Sequence, residues 1–272
     1  MYMRFSDGKR KVLTLSYDDG YVFDRRLVEI LDKYGILATF NLSAGRYYPE
    51  DGEEKDFRIM KISEAKELFL NSPHEIALHS YSHLVLTHLK SSDIVREILD
   101  DRVETEKIYK QRITGMAYSY GDCNEEVFKI AEKCGISYSR GTKSTEDFLF
   151  PENWLKINPT CHHDNPKLFE IAEKFVNDNP RFGNWLFYVW GHSYEFEKRH
   201  NWDRIEKFAE YVGGKEDIWY ATNIEIFEYI ESYNRLVISA DGKKVYNPTV
   251  TPLWVEEQGE IIKINPGETK YF

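Results

Sequence analysis

The sequence predicts an α/β fold, a distorted (β/α) barrel of seven or eight strands followed by a small C-terminal β appendage. Three observations carry that expectation. Short apolar, β-branched runs alternate with longer amphipathic runs almost from end to end, which is the pattern of a parallel sheet with crossover helices. About eight such pairs fit in roughly 230 residues, the size of a barrel. No Gly-rich phosphate loop follows the first strand, which disfavours the competing doubly wound open sheet.

Taken in order, strands are predicted at Val12–Tyr17, Leu37–Ser43, Glu75–His79, Met116–Tyr120, Ile136–Ser139, Leu155–Asn158, Trp185–Trp190 and Ile218–Ala221. Each is a short apolar or alternating run bounded by turn residues. Helical spacing of apolar residues predicts Arg25–Lys33, Ser63–Leu70, Asp93–Lys110, Glu125–Lys133, Lys167–Val176, Asp203–Val212 and Ile224–Tyr233. After Asn234 the pattern becomes alternating, at Arg235–Ser239, Lys244–Tyr246, Thr251–Val255 and Glu260–Ile264, with Asp241-Gly242, Asn247-Pro248 and Pro266-Gly267 as turns. Residues 1–234 are therefore expected to form the barrel and 235–272 a β appendage packed on it.

Composition narrows the function classes. A chain of 272 residues with 42% hydrophobic content buries a sizeable core. No apolar run approaches the roughly 20 residues needed to span a bilayer, and the polar start Met1–Lys11 lacks an apolar leader, so a cytoplasmic protein with no membrane partner is expected. Cys123, Cys134 and Cys161 are scattered, with no metal-clip spacing, and read as free thiols. A net charge of −10 speaks against nucleic acid as a partner, because phosphate contacts are carried by clustered Lys and Arg. The 15% aromatic content suits sugar stacking and core filling alike. Oligomeric state leaves no signature.

Two segments and one strand end hold the groups that can do chemistry. The first strand runs into Asp18-Asp19-Gly20, where two adjacent carboxylates face one site only if the backbone turns, as Gly20 permits. The stretch from His74 to His83 holds three of the eight histidines. His79 closes the third predicted strand, and His83 lies one helical turn beyond it if the chain coils there. Two imidazoles with a carboxylate from strand one make a two-nitrogen, one-oxygen set that leaves metal positions open. A third candidate is His192, which follows the apolar strand Trp185–Trp190. Chemistry in barrels gathers at the carboxyl ends of strands, so Asp18, Asp19, His79, Tyr120 and His192 are expected to converge on one face. His162-His163-Asp164 reads either as a cleft wall or as a hydrated loop, and the acidic runs 50–54 and 195–197 as solvated faces. Trp190 and Tyr194 are candidate sugar platforms, and His163 a candidate substrate contact.

These residues resemble the polysaccharide deacetylase family, the carbohydrate esterases with a NodB-homology domain. Ser16-Tyr17-Asp18-Asp19-Gly20 is similar to the family's Thr-Phe-Asp-Asp-Gly, and Ala38-Thr39-Phe40-Asn41 to its Ala-Thr-Phe-Phe. His74 to His83 resembles its second motif, with Pro73 in place of glycine, and Trp190-Gly191-His192 its late histidine motif. The resemblance implies a divalent cation, zinc first and cobalt, nickel or iron otherwise, held by Asp19, His79 and His83. It implies Asp18 as general base toward the attacking water, the backbone N–H of Tyr120 as oxyanion donor and His192 as general acid. The implied substrate is an N-acylated sugar or oligosaccharide; the alternatives are a cyclic-amide hydrolase on the same scaffold and a catalytically inactive carbohydrate-binding protein. Two departures stand out. Ala117-Tyr118-Ser119-Tyr120-Gly121 lacks the third-motif arginine that steadies the base, and no fourth motif supports His192, for which Glu195 is the one candidate and Thr145-Glu146-Asp147 a poor one.

Overall fold

The computed structural model describes residues 1–53 and 55–272, so of the acidic run 50–54 only Glu54 lies outside the described residues. In chain order the elements are β1 (Tyr2–Arg4), β2 (Lys11–Asp18), α1 (Asp24–Lys33), β3 (Ala38–Leu42), α2 (Ile62–Phe69), β4 (Glu75–Leu78), α3 (Ser91–Tyr109), β5 (Gly115–Ala117), α4 (Glu125–Lys133), β6 (Tyr138–Arg140) and β7 (Cys161–His162). There follow α5 (Leu168–Asn177), β8 (Trp185–Gly191), α6 (Ser193–Lys198), α7 (Trp202–Val212), β9 (Ile218–Tyr220), α8 (Asn223–Asn234), and five short strands, β10 (Val237–Ile238), β11 (Lys244–Tyr246), β12 (Leu253–Glu257), β13 (Glu260–Ile264) and β14 (Thr269–Tyr271).

Eight parallel strands make the barrel sheet, in the order β6-β5-β4-β3-β2-β8-β7, with β9 also on β2. The central strand β2 is buried along its whole length, as a strand covered on both faces must be. Its upper half pairs with β3 and its lower half with β9, while β8 runs along the other side, so the sheet curls around it. Alternation then sorts its side chains. Leu13, Leu15 and Tyr17 face the helices, while Val12 joins Leu186, Tyr188 and Trp190 in a second, inner cluster.

The inner face also carries a hydrogen-bonded polar column. Thr14 donates to Asn223 at 2.8 Å, and Asn223 to the Tyr188 hydroxyl at 2.6 Å. Thr39 and Tyr138 donate to the half-buried Glu75 at 2.8 and 2.7 Å. Asn41 donates to Ser16 and to Asp18, both at 2.8 Å. Apart from Glu75 these groups are withdrawn from water, where an unpaired polar atom is costly.

The predicted sixth strand, Leu155–Asn158, is not a strand. Asn153 accepts from the Leu155 N–H at 2.9 Å and caps a 3₁₀ turn over Trp154–Lys156, and Pro159 has no N–H to continue a ladder. Only Ile157 bridges to Arg140, which partly fills the gap between β6 and the short strand β7 that takes the predicted strand's place. Tyr2–Arg4 carries no periodic signal, yet it pairs antiparallel with β12, fixed by Arg4 Nε to Glu256 at 2.8 Å. The appendage therefore consists of two three-stranded sheets, β1-β12-β13, which takes in the N-terminal strand, and β10-β11-β14, which holds the last strand of the chain. Among the described residues, no helix is long and apolar enough to cross a membrane.

Close approach makes one glycine indispensable. A Cβ at Gly191 would lie 2.1 Å from Nδ1 of His163. Gly191→Ala is expected to cost about 1–3 kcal/mol of stability in urea unfolding, as overpacking does. Adding His163→Ala, which vacates the space, should recover most of the loss; no recovery would show that the contact is not the cause.

Candidate active site

Asp18 is the last residue of β2 and points to the barrel interior, where it is 2% exposed. Directly after it, Asp19 adopts φ 79° and Gly20 φ 70°, so the chain swings round and brings a second carboxylate to the same cleft. The turn that the Asp-Asp-Gly sequence requires is therefore made by Asp19 as well as by the glycine.

His79 follows β4 and is held twice. Its Nδ1 lies 2.8 Å from the carbonyl oxygen of Ala117, which can only accept, so Nδ1 carries the proton and Nε2 keeps its lone pair for the cleft. The helical turn expected between His79 and His83 does not form. Ser80 and His83 take left-handed φ values of 65° and 56°, and this irregular loop places the two rings 4.7 Å apart. Asp19 Oδ1 lies 3.2 Å from His83 Nε2 and 3.9 Å from His79 Nε2. The ligand atoms of the three residues all fall within 4.8 Å of one another. Burial and the neighbouring His79 pull the His83 pKa down to about 4 against the opposing pull of Asp19, so the ring is neutral, as a ligand must be. Two neutral imidazoles and one carboxylate oxygen fit a divalent cation. Arg46, at the rim, donates to the same Asp19 oxygen at 3.1 Å and balances its charge.

The arginine missing from the third motif comes from elsewhere. Arg140, the last residue of β6, is fully buried, donates through Nη2 to Asp18 and lies 4.7 Å over the ring of Trp190. Burial alone would raise the Asp18 pKa; the Arg140 charge, with His79 and His192, more than offsets it and leaves the carboxyl below its ordinary value. The strand prediction Ile136–Ser139 ends one residue short and leaves Arg140 in the loop. The signal available was an arginine at the carboxyl end of a barrel strand, between Ser139 and Gly141.

His192, just beyond β8, sends Nε2 to within 4.0 Å of Asp19 Oδ2. Its Nδ1 lies 3.1 Å from Glu195 Oε2, and its backbone N–H donates to the same oxygen at 3.2 Å. Glu195 is the N3 residue of α6, and a capping carboxylate at N3 reaches back to the residue that opens the helix. The reading of 195–197 as a solvated face is thus wrong for Glu195, which is partly buried and also lies 3.1 Å from His162 Nε2 and 3.3 Å from His163 Nε2. Burial would raise Glu195, but hydrogen bonds from His162 and His192 hold it well below the usual carboxylate range. Burial lowers His192, yet Glu195 first, then Asp18 and Asp19, bring its net pKa above the ordinary value.

A cleft of about 480 Å³ gathers Asp18, Asp19, His79, His83, Tyr120 and His192. Tyr120, at φ 60° and 66% exposed, packs its ring edge on His83 at 4.7 Å. Trp190 and Tyr194 line the cleft, and the Tyr194 ring lies 4.6 Å from that of Tyr21 at a 49° tilt. His163 does not line it: the residue is 0% exposed, sandwiched between Tyr17 and Phe196, so it meets no substrate there. A second cleft of the same volume, around Thr145, Phe150 and Lys156, contains no histidine. His162, His163, Asp164 and Glu195 also cluster, but Arg199 already sits against Asp164 and lies 3.4 Å from Glu195, making this a paired network rather than a cation cradle.

Residues 6–139 match the polysaccharide deacetylase family, a segment that ends at the residue before Arg140 and does not reach His192. A peptidoglycan-N-acetylmuramic acid deacetylase, PdaC of Bacillus subtilis (strain 168), is 30% identical over 125 residues, 44% of this chain and 24% of that protein. YxkH of the same organism, provisionally assigned as a polysaccharide deacetylase, is 24% identical over 157 residues, 55% of this chain and 52% of its own. The chain thus spans about half or less of the length of these curated relatives. The solved structure of the chitin deacetylase from Colletotrichum lindemuthianum shares the fold, with a TM-score of 0.54 at 17% identity over 83% of this chain and 89% of that one.

Replacing Arg140 by Met leaves the Asp18 charge buried and unpaired. Urea unfolding should show a loss of about 3–5 kcal/mol. The double change Arg140→Met with Asp18→Asn should restore most of it, and a double variant no more stable than Arg140→Met would refute the pairing.

Proposed function

The chain belongs to the polysaccharide deacetylase family, and on that premise we propose that it is a metal-dependent hydrolase that removes an acetyl or similar acyl group from the nitrogen of an N-acylated sugar. One observation carries the reading: a base, an acid and a metal-ligand set from β2, β4 and β8 open into a single cleft. The relative PdaC acts, by its name, on N-acetylmuramic acid in peptidoglycan, which is the same kind of bond.

Asp19, His79 and His83 would hold the ion. A divalent cation in that position supplies Lewis acidity, polarising the amide carbonyl and lowering the pKa of water. The protein's own groups do the rest. Asp18, kept anionic by Arg140, accepts a proton from the attacking water as its oxygen bonds to the carbonyl carbon. The oxyanion that develops lies against the backbone N–H of Tyr120. His192 carries its first proton on Nδ1 toward Glu195, and its second, on Nε2, goes to the leaving nitrogen as the C–N bond breaks. Carboxylate and free amine leave. Trp190 and Tyr194 offer flat faces on which a sugar ring stacks, which favours an acylated sugar over a cyclic amide. An inactive binding protein has no use for a separately supported acid and base.

Acetate release from an N-acetylglucosamine oligomer should fall at least ~10²-fold in Asp18→Asn and in His192→Ala, within the ~10²–10⁴ range of general acid–base catalysis. The His192 variant should lose far less on an aryl acetate, whose leaving group needs no proton. Elemental analysis should find near-stoichiometric metal in the parent and little in His79→Ala; equal metal in both rules out the ligand assignment.

A further inference from the structure

The loop that presents both imidazoles is conformationally costly by itself. Ser80 and His83 hold left-handed φ values, and neither is glycine. Such geometry persists only where the surroundings over-determine it, and on one side they consist of a single helix face. Glu97 and Asp101 stand four residues apart on α3 and therefore project together. Asp101 is fully buried: one carboxylate oxygen accepts at 3.1 Å from the His79 N–H, which it shares with the Leu42 carbonyl at 3.0 Å, and the other accepts from the Ala44 N–H at 2.7 Å. Glu97, 9% exposed, accepts from the Ser82 N–H at 2.8 Å with its side chain, and its backbone carbonyl accepts from the Tyr81 N–H at 3.0 Å.

We propose that Asp101 and Glu97 are positioning residues for the metal-binding loop 79–83, a pair of helix-borne carboxylates that grip its backbone and set the angle at which His79 and His83 present Nε2. The inference rests on the reading of those histidines as ligands. The grip from α3 falls on the N–H groups of residues 79, 81 and 82, and that of Ala44 is tied to the same Asp101 carboxylate. Ala44 opens the turn that carries Arg46, so one carboxylate registers the ligand loop against the segment whose arginine faces Asp19. A merely structural acid on α3 would lower the stability of the whole fold and leave the affinity of the folded protein for an ion unchanged. Groups that orient ligands change that affinity, typically by ~10–100-fold when altered.

The test uses the full chain, stripped with a chelator and titrated with Zn²⁺ against a chromophoric competitor, with Co²⁺ absorption as a second readout of ligand geometry. Asp101→Asn and Glu97→Gln keep the size of each side chain while replacing one acceptor oxygen by an NH2 donor, which in Asp101→Asn must face one of the two bound N–H groups. Both should bind Zn²⁺ at least ~10-fold more weakly than the parent, and the Co²⁺ visible bands should change shape or intensity. His79→Ala is the control and should lose tight binding. Parent-like affinity and spectra in both α3 variants, with the control impaired, would overturn the positioning role while leaving the ligand reading intact. Parent-like binding in His79→Ala would show that the ligand reading itself has failed, and the positioning claim with it. If Asp101→Asn does not fold, Glu97→Gln decides the matter, because Glu97 lies at the edge of the buried face and its side chain grips only Ser82.

Discussion

The structure turns on a carboxylate that must remain ionised inside a barrel. Asp18 is buried where an isolated charge would cost several kcal/mol, and protonation would be the cheaper outcome. Arg140 changes that balance, aided by the Asn41 amide at 2.8 Å. The guanidinium is itself fully buried, so each charge is tolerable only because of the other. Curling the sheet is what allows the pair to form. β2 and β6 are four places apart in the sheet, and only a closed or nearly closed surface brings the carboxyl ends of both to one interior point. The polar column below them follows from the same geometry, since inward side chains of a small barrel must fill it and satisfy one another.

Acid and base arms are built by different physics. The base arm is a long-range ion pair between strand ends 122 residues apart. The acid arm is local: a helix begins at Ser193, its N3 glutamate caps it, and the same carboxylate receives the Nδ1 proton of His192. Glu195 is shared between two imidazoles, with His162 Nε2 at 3.1 Å on one side and His192 Nδ1 at 3.1 Å on the other.

These differences explain how much could be read from the sequence. The alternation of strand and helix, the carboxylates after β2, the histidines after β4 and β8, and their convergence at the strand ends were legible because each is a local pattern placed by a general rule of barrels. Arg140 was not, because nothing near it in sequence announces a partner at Asp18. Leu155–Asn158 has strand composition, but an Asn cap and a proline decide otherwise. Tyr2–Arg4 is too short for periodicity and finds its partner at the other end of the chain. His163 looked like a cleft residue because sequence shows that it follows a strand but not which way it faces; its ring instead fills the space left by Gly191. The helical spacing of His79 and His83 gave the right neighbours for the wrong reason, since left-handed residues and the grip of α3 bring the rings together.

A last constraint ties the two arms without disturbing them. Asp24, at the start of α1 and buried, accepts a hydrogen bond from Ser193 at 2.5 Å, and so joins the segment after the base to the segment after the acid. An ionised carboxylate there would add a third negative charge beside Asp18 and Asp19. Burial raises the Asp24 pKa to about 8, against the lowering effect of the Ser193 bond, so at neutral pH the group is mostly protonated. It then links the two loops as a neutral group, through the hydrogen bond that it accepts from Ser193. The site's charge is left to the three carboxylates that use it: Asp18 against Arg140, Asp19 toward the imidazole pair, and Glu195 behind His192.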